Sequence, residues 1–306
     1  MTRDYLSVDD LSSVELIEIL DLADRMKADR SLHAEALAGK AVALIFEKSS
    51  TRTRVSFEVG VGQLGGYPLT LSSADLQLGR GETIEDTGRV LSRYVDAIVL
   101  RTFEQERLEV LAEAASVPVV NSLSDFEHPC QALADLQTIR EHRGTLAGTV
   151  LTYAGDGNNV AHSLLLAGAK AGMTVRVATP VGFAPIPQVV DRATEIAAAT
   201  GGAIEVSTDP IAAATGAHVL YTDVWASMGQ EAEAKERALV FHPYQLNERL
   251  IDVADPEVLV MHCLPAHRGE EIADVAIDGT HAVVFDQAEN RLHTQKALLV
   301  FLFDLA

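Results

Sequence analysis

Short apolar runs alternate with amphipathic stretches along almost the whole chain, and this alternation restricts the fold more than any other feature of the sequence. The predicted strands are residues 41–46, 67–71, 97–101, 117–121, 150–154, 174–178, 203–206, 218–222, 258–261 and 282–285. The predicted helices cover residues 9–27, 51–64, 83–94, 104–115, 129–140, 159–171, 187–199, 232–238 and 287–305. Strand–helix alternation predicts an α/β fold of parallel sheets flanked by helices.

The chain of 306 residues is long enough for two such domains. A glycine-containing stretch, residues 143–148, separates the two sets of elements and is predicted to link them. Residues 1–143 are therefore predicted to form the first domain, together with a C-terminal helix, 287–306, that packs back on it. Residues 149–286 are predicted to form the second domain.

The formal charge of −20 argues against nucleic acid or an anionic membrane as a partner. Cys130 and Cys263 lie far apart and outside any zinc-binding pattern, so neither a disulfide framework nor a metal site is predicted. The first residues lack the apolar core of a signal peptide, and no apolar run is long enough to span a bilayer. A cytoplasmic protein is expected.

Hydroxyl side chains are interleaved with arginines where the first predicted strand turns into a helix, in residues 47–54 (EKSSTRTR). A helix N-terminus offers N–H groups without helical partners and a positive dipole end, which favour an anion. Ser50 is placed to cap this helix, Thr51 and Thr53 to donate, and Arg52 to bind phosphate oxygens through two N–H groups. An ordinary cap followed by solvated arginines explains one hydroxyl but not the set. The stretch is not a Walker A loop, because its glycines are absent.

Polar residues also follow two other strands of the first predicted sheet. Ligands of parallel sheets bind beyond the carboxyl ends of the strands, which is where Arg101 and His128 are expected. Pro129 suits the first turn of the helix that follows. Gln131, about one turn on, is expected to face the same way as His128. For His128 taken alone, a capping or core histidine is an equally good interpretation.

The turn Gly155–Asn159 (GDGNN) invites a dinucleotide-binding interpretation, which the surrounding residues reject. The fingerprint requires a third glycine where Val160 stands, and an acidic residue near position 178, where the next strand ends in Ala178-Thr179-Pro180. A turn that presents Asn159 to a polar ligand is the better interpretation.

Two strands of the second domain are followed by residues suited to an amino-acid ligand. Asp223 precedes a small polar loop, which fits recognition of an ammonium group, although a capping aspartate beside a surface loop fits this stretch alone better. Cys263 follows another strand, and a buried free cysteine is commonly only a small hydrophobic residue. Arg291, near the start of the last helix, adds a cation.

Taken together, these stretches closely resemble the aspartate/ornithine carbamoyltransferase family, essentially from end to end. The motifs that carry the resemblance are SSTRTR (49–54), QLGRGE (77–82), HPCQALADLQT (128–138), GDGNN (155–159), DVWASMG (223–229), HCLPAHRG (262–269) and AENR (288–291). Two of these motifs, DVWASMG and HCLPAHRG, are typical of the ornithine branch. The aspartate branch usually carries His-Pro-Gly-Pro at positions 262–265, and a lysine in the loop that here has Gln77 and Arg80.

The resemblance implies roles for the residues already named. Carbamoyl phosphate would be held by Ser50, Thr51, Arg52, Thr53, Gln77, Arg101, His128, Pro129, Cys130, Gln131 and Arg291. L-Ornithine would be held by Asn159, Asp223, Ser227, Met228, Cys263 and Leu264. The catalytic residues would be Arg101, His128, Cys263 and Asp223. Gln77 would reach into a neighbouring subunit, because the family assembles from catalytic trimers.

The resemblance also implies an activity: transfer of the carbamoyl group from carbamoyl phosphate to the δ-amine of L-ornithine, giving citrulline and phosphate. No metal or organic cofactor is expected, and arginine biosynthesis is the expected pathway. Three alternatives stay open: a carbamoyltransferase for another amine, such as putrescine, an acylated ornithine or aspartate; a nucleotide-dependent oxidoreductase; and a non-catalytic sensor of a phosphate ligand.

One residue departs from the family pattern. The family usually has an aromatic residue or leucine directly before the His-Pro pair, and this chain has Glu127. Beside His128, this carboxylate is predicted either to raise the pKa of the histidine or to alter the packing of the loop.

Overall fold

The computed structural model describes residues 3–72, 81–226 and 234–305. The chain divides into two compact units, Met1–Gln137 with Glu289–Ala306, and Thr138–Ala288. Gln77, Ser227 and Met228, which the sequence places in the site, lie outside the described residues. The two units are described one at a time.

The first unit contains a four-stranded parallel sheet in the order β2-β1-β3-β4. Its strands are β1 (Ala41–Phe46), β2 (Tyr67–Ser72), β3 (Ala97–Arg101) and β4 (Val119–Leu123). Its helices are α1 (Ser13–Ala28), α2 (Thr51–Gln63), α3 (Ile84–Leu91) and α4 (Gln105–Ala114). The interior residues of β1 and β3 are buried, as expected for central strands of a sheet covered on both faces.

The start of the first helix differs from the prediction. A short 3₁₀ turn, Val8–Asp10, comes first, and α1 begins only at Ser13. The reason is a reciprocal cap: Ser12 accepts a hydrogen bond from the Glu15 N–H, and the Glu15 carboxylate accepts one from the Ser12 N–H.

The second unit contains a five-stranded parallel sheet in the order β7-β6-β5-β8-β9. Its strands are β5 (Val150–Ala154), β6 (Thr174–Ala178), β7 (Ala203–Ser207), β8 (Val219–Thr222) and β9 (Leu259–His262). Its helices are α6 (Asn159–Lys170), α7 (Pro187–Thr200), α8 (Pro210–Ala214), α9 (Ala234–Phe241), α10 (Glu248–Ile251) and α11 (Asp274–Ile277). An α/β fold of two parallel sheets flanked by helices is confirmed.

Two helices contain the points where the chain passes from one unit to the other. They are α5 (Pro129–Arg143) and the C-terminal α12 (Val284–Leu302). Both unit boundaries therefore fall within helices, whereas the sequence placed the link at residues 143–148. From Glu289 onward, the residues of α12 belong to the first unit.

The strand predicted at residues 282–285 is wrong. Ala282 forms only an isolated bridge to Val260, and α12 begins at Val284 rather than at Gln287. The Val283 carbonyl already accepts a hydrogen bond from the Gln287 N–H, which is a helical bond. A short apolar run fits a buried helical turn as well as a strand, so periodicity alone could not separate them. The short helices α8, α10 and α11 were not predicted. No helix in the described ranges is long and apolar enough to cross a membrane.

Candidate active site

The turn between β1 and α2 has the geometry of an anion site. Ser50 is the N-cap of α2, and its hydroxyl oxygen accepts a hydrogen bond from the Thr53 N–H at 3.2 Å. Thr51 is the first helical residue and is exposed, whereas Thr53 is buried. No acidic residue lies in the first turn of α2. The positive end of the helix therefore meets no carboxylate from its own first turn.

The residues that precede this turn hold it against the neighbouring strand. The Glu47 N–H donates to the Arg101 carbonyl at 2.9 Å, and the Glu47 carboxylate binds the Arg107 guanidinium through two hydrogen bonds. Arg101 pairs in register with Phe46, so it stands at the carboxyl end of β3 beside the end of β1. The predicted placement of Arg101 at this sheet edge is confirmed.

Lys48 joins the same turn to the loop that precedes α5. Its ammonium group is nearly buried, forms an ion pair with Asp125 and lies 4.3 Å from the centre of the Phe103 ring. A cavity of about 610 Å³ opens beside the turn, and its lining includes Ser50, Thr51 and Thr70. The turn is therefore accessible to a ligand on one side and anchored on the other.

His128 lies directly before α5, and its carbonyl accepts the N–H groups of Gln131 and Ala132. Its imidazole is buried. Burial, followed by the charges of Arg291, Arg101 and Arg52, lowers the pKa of His128 well below its usual value. His128 is therefore neutral at pH 7, and a neutral imidazole can donate one hydrogen bond to an oxygen.

Arg291 joins the anion turn to α5 inside the first unit. Its guanidinium is buried and donates from Nη1 to Gln131 Oε1 at 2.6 Å and from Nη2 to Thr53 Oγ1 at 3.0 Å. Gln131 donates in turn to Asp135 Oδ1 at 2.8 Å. The structure therefore brings Thr53, Gln131 and Arg291 together from three separate helices.

Glu127 does not raise the pKa of His128, which was one of the two effects predicted from the sequence. Its carboxylate is fully buried and accepts hydrogen bonds from the Ser7 hydroxyl at 2.5 Å and the Val8 N–H at 3.0 Å. The pKa of His128 is lowered, not raised, because burial and three arginines dominate. The prediction of a raised pKa is wrong, and the carboxylate instead fixes the packing of the loop.

The two residues after His128 contact the interior. The Cys130 thiol donates to the Asn121 carbonyl at 3.4 Å, and burial raises the pKa of this thiol to about 12. Such a thiol is not a nucleophile at neutral pH. The Pro129 carbonyl accepts a hydrogen bond from the Tyr5 hydroxyl at 3.3 Å.

In the second unit, Asp223 and Cys263 meet at the carboxyl ends of β8 and β9, whose last residues pair in register. The Cys263 thiol donates to Asp223 Oδ1 at 3.0 Å. The other carboxylate oxygen, Oδ2, accepts from Asn158 Nδ2 at 3.0 Å. Asp223 is buried, so these donors compensate the loss of hydration of its charge.

Asn158 was missed by the sequence analysis, which selected its neighbour Asn159. Asn158 is the N-cap of α6, and its side-chain oxygen accepts the N–H groups of Val160 and Ala161 while its amide nitrogen reaches Asp223. Asn159 is the first residue of α6 and is half-buried. The strong preference for asparagine at N-caps could have identified Asn158.

The backbone at Leu264 is held by a buried histidine. The Leu264 N–H donates to His262 Nδ1 at 2.8 Å, and His262 Nε2 is 3.0 Å from Glu271 Oε1. Since Nδ1 accepts a hydrogen bond, the proton of the imidazole lies on Nε2 and faces Glu271. Leu264 has φ of +58°, a left-handed conformation that a leucine adopts only under such constraint.

Arg237 was also missed by the sequence analysis. It binds the Trp225 carbonyl and the Asp156 carboxylate, and its guanidinium lies 4.9 Å and 5.1 Å from the ring centres of Phe183 and Phe241. Burial raises the pKa of Asp156 to about 6, although the Arg237 charge opposes this shift. Arg237 therefore fixes the backbone at Trp225, two positions after Asp223. No sequence pattern pointed to it, because its partners come from distant turns.

Two parallel-sheet units, with an anion site at a strand–helix turn in one and an aspartate–cysteine pair at the sheet edge of the other, define a two-unit α/β protein with polar sites at the carboxyl ends of its strands. Residues 3–141 match the family profile described as aspartate/ornithine carbamoyltransferase, carbamoyl-P binding domain. Residues 147–302 match its Asp/Orn binding domain. The chain belongs to the aspartate/ornithine carbamoyltransferase family.

Individual relatives agree with this assignment. The chain is 63% identical over 305 residues to an ornithine carbamoyltransferase of Parafrankia sp. (strain EAN1pec), covering 99% of this chain and 96% of that protein. The solved ornithine carbamoyltransferase of Pyrococcus furiosus matches with a TM-score of 0.95 and 54% identity, covering 98% of this chain and 96% of the other. That of Gloeobacter violaceus has a TM-score of 0.90 and 50% identity, covering 98% of each chain.

Proposed function

We propose that this enzyme transfers the carbamoyl group of carbamoyl phosphate to the δ-amine of L-ornithine, giving L-citrulline and phosphate. The observation that carries the proposal is the Arg291 guanidinium, which binds Thr53 of the anion turn and Gln131 of the helix that begins beside His128. The membership of the family and the two domain matches support the same substrates.

The first unit binds carbamoyl phosphate in this proposal. Ser50, Thr51, Arg52 and Thr53 bind the phosphate at the N-terminus of α2, where backbone N–H groups and the helix dipole add to the arginine charge. The other residues assigned to this substrate are Gln77, Arg101, His128, Pro129, Cys130, Gln131 and Arg291. Of these, the Cys130 side chain faces the Asn121 carbonyl, so we assign it no chemical step.

The carbamoyl oxygen gains negative charge when an amine attacks the carbamoyl carbon and phosphate leaves. Arg101 and His128 donate to this oxygen, and removing one such donor typically lowers kcat by about 10²- to 10³-fold. Because His128 is neutral, it stabilises the charge by hydrogen bonding rather than by giving up a proton. Gln131 holds the carbamoyl amide. The side-chain oxygen of Gln131 accepts from Arg291 with one lone pair, and its second lone pair can accept from the carbamoyl NH₂ group.

The second unit binds ornithine in this proposal. Asp223 receives the α-ammonium group, and Asn159 with Ser227 and Met228 completes recognition of the amino-acid end. Cys263 and the Leu264 carbonyl receive the δ-amine. This amine must be neutral to attack, whereas a free alkylamine, with a pKa of about 10.4, is protonated at pH 7. The left-handed backbone at Leu264, held by His262, directs that carbonyl.

A trimer and a role in arginine biosynthesis in the cytoplasm complete the proposal. Val55 and Val59 lie one turn apart on α2, and both are exposed, as is Tyr67 at the start of β2. Exposed apolar side chains of this kind suit contact with a second copy of the chain. Mass photometry of the purified protein at several concentrations tests the assembly.

The experiment that tests the activity offers carbamoyl phosphate with ornithine, aspartate or putrescine in separate reactions. Citrulline from ornithine alone is the expected result. Arg52→Ala is expected to lower kcat/KM by about 10²-fold or more, because a charged phosphate contact is lost. Arg89→Ala is the matched control, since Arg89 is exposed on α3 of the same unit and pairs with Asp86. Turnover of another amine overturns the ornithine assignment, and no turnover overturns the function.

A further inference from the structure

The N-terminal segment of residues 5–8, called here the strap, contacts the chain on both sides of His128. On one side, Glu127 accepts hydrogen bonds from Ser7 and Val8 through separate carboxylate oxygens. On the other side, the Tyr5 hydroxyl donates to the Pro129 carbonyl. The residues immediately before and after His128 are therefore both bound to the strap.

The strap is itself fixed to the sheet. The Tyr5 N–H donates to the Val119 carbonyl and the Tyr5 carbonyl accepts from the Asn121 N–H, both at 2.8 Å, so Tyr5 extends the edge of the sheet at β4. The Asn121 side chain donates to the Leu6 carbonyl at 2.8 Å. These bonds give the strap a rigid position from which it can hold the turn before α5.

The turn before His128 is closed by its own hydrogen bonds. The Ser124 N–H donates to the Glu127 carbonyl at 2.9 Å, and the Ser124 hydroxyl oxygen accepts from the Glu127 N–H at 3.1 Å. Burying a carboxylate is costly unless its oxygens are hydrogen-bonded, and the bonds from Ser7 and Val8 supply such partners. The bound Glu127 side chain therefore holds this turn in place.

We propose that Glu127 and the strap position the His128 imidazole for its hydrogen bond to the carbamoyl oxygen. Glu127 is a positioning residue that acts through His128, and the proposal rests on the function given above. A misplacement of a reacting group by about 1 Å can lower the rate by about 10²-fold. Because charge on the carbamoyl oxygen develops in the transition state, the effect falls on kcat rather than on KM.

The test measures kcat, KM for both substrates and the thermal midpoint for Glu127→Ala, Glu127→Gln and Ser7→Ala. Glu127→Ala is expected to lower kcat by about 10²-fold with both KM values nearly unchanged. Glu127→Gln is expected to keep most of the wild-type kcat, unlike Glu127→Ala, because its amide oxygen can accept from the Val8 N–H and its amide nitrogen can donate to the Ser7 hydroxyl. Ser7→Ala is expected to lower kcat by less than Glu127→Ala does. It replaces Glu127→Ala as the test if that variant does not fold.

Asp96→Ala is the matched control. The Asp96 carboxylate accepts from the Ala41 N–H at 2.9 Å, so this change weakens the same sheet away from the strap and from the turn before His128. It is expected to lower the thermal midpoint while leaving kcat unchanged. The inference is overturned if folded Glu127→Ala keeps the wild-type kcat, if only KM changes, or if Asp96→Ala lowers kcat equally. A wild type without carbamoyl transfer overturns the proposed function instead, and this inference with it.

Discussion

The Arg291 guanidinium donates to the Gln131 side-chain oxygen at 2.6 Å, and so joins two residues separated by 160 positions in the chain. This bond fixes the orientation of the Gln131 amide, because its nitrogen then faces Asp135. The second guanidinium nitrogen binds Thr53. One buried cation thus sets the orientation of two side chains that we assign to carbamoyl phosphate.

Arg291→Lys tests this double contact. A lysine keeps the charge but cannot donate in the planar fork of a guanidinium, so at least one bond is lost. We expect kcat/KM for carbamoyl phosphate to fall by about 10- to 100-fold, the equivalent of one charged hydrogen bond. Steady-state kinetics measure this change in kcat/KM. Arg192→Lys is the control, because Arg192 is an exposed arginine. An unchanged kcat/KM would contradict the assignment of this network to the substrate.

Asp223→Asn tests the amino-acid site. Asp223 accepts from Cys263 and Asn158, and an asparagine places an NH₂ group against one of these donors. We expect KM for ornithine to rise by about tenfold or more while KM for carbamoyl phosphate stays unchanged, because a charged contact to the α-ammonium group is lost.

Asp209→Asn is the control for that measurement, since Asp209 caps α8 in the same unit and is exposed. Equal changes in both KM values, or the same change in Asp209→Asn, would show a general loss of structure rather than a lost ornithine contact.

His128 predicts a pH dependence of stability. Its pKa is lowered in the folded chain, first by burial and then by Arg291, Arg101 and Arg52. Below about pH 6.5 the unfolded chain therefore binds a proton that the folded chain does not, and the free energy of unfolding falls as the pH decreases. We expect His128→Asn to show a weaker fall than the wild type between about pH 6.5 and pH 5.

Urea denaturation at several pH values measures this slope. His33→Asn is the control, because His33 lies outside the site and asparagine tolerates its positive φ of 60°. Parallel curves for wild type and His128→Asn would mean that His128 does not titrate differently in the folded and unfolded chains.

Gly157→Ala is expected to destabilise the second unit. An added Cβ would lie 2.3 Å from the Pro185 nitrogen and 2.5 Å from the Ala184 carbonyl carbon, which are backbone atoms that cannot rotate away. We expect the free energy of unfolding to fall by about 1–3 kcal/mol. Gly62→Ala in α2 is the control: its Cβ meets nothing within 4 Å, and the change should stabilise by about 0.5–1 kcal/mol. Equal effects of the two changes would contradict this steric argument.

The sequence predicted the central strands well because they are buried on both faces and bounded by turn residues. It also placed Arg101 and the Ser50 cap at the correct sheet edge, since the carboxyl ends of parallel strands meet there. It failed at residues 282–285, where an apolar run is compatible with both a strand and a buried helix. It also missed Arg237, whose partners Asp156 and Trp225 lie in other turns.

The sequence by itself therefore determined the α/β class, the order of strands β1 to β9 and the family, because periodicity, caps and motifs are local properties of the chain. Only the tertiary structure decided the partners of buried charges. Glu127 is adjacent to His128 in the chain, yet its carboxylate binds Ser7 and Val8, more than a hundred residues away. A buried charge is stabilised by the donors that folding brings to it, and sequence neighbours do not reveal which donors those are.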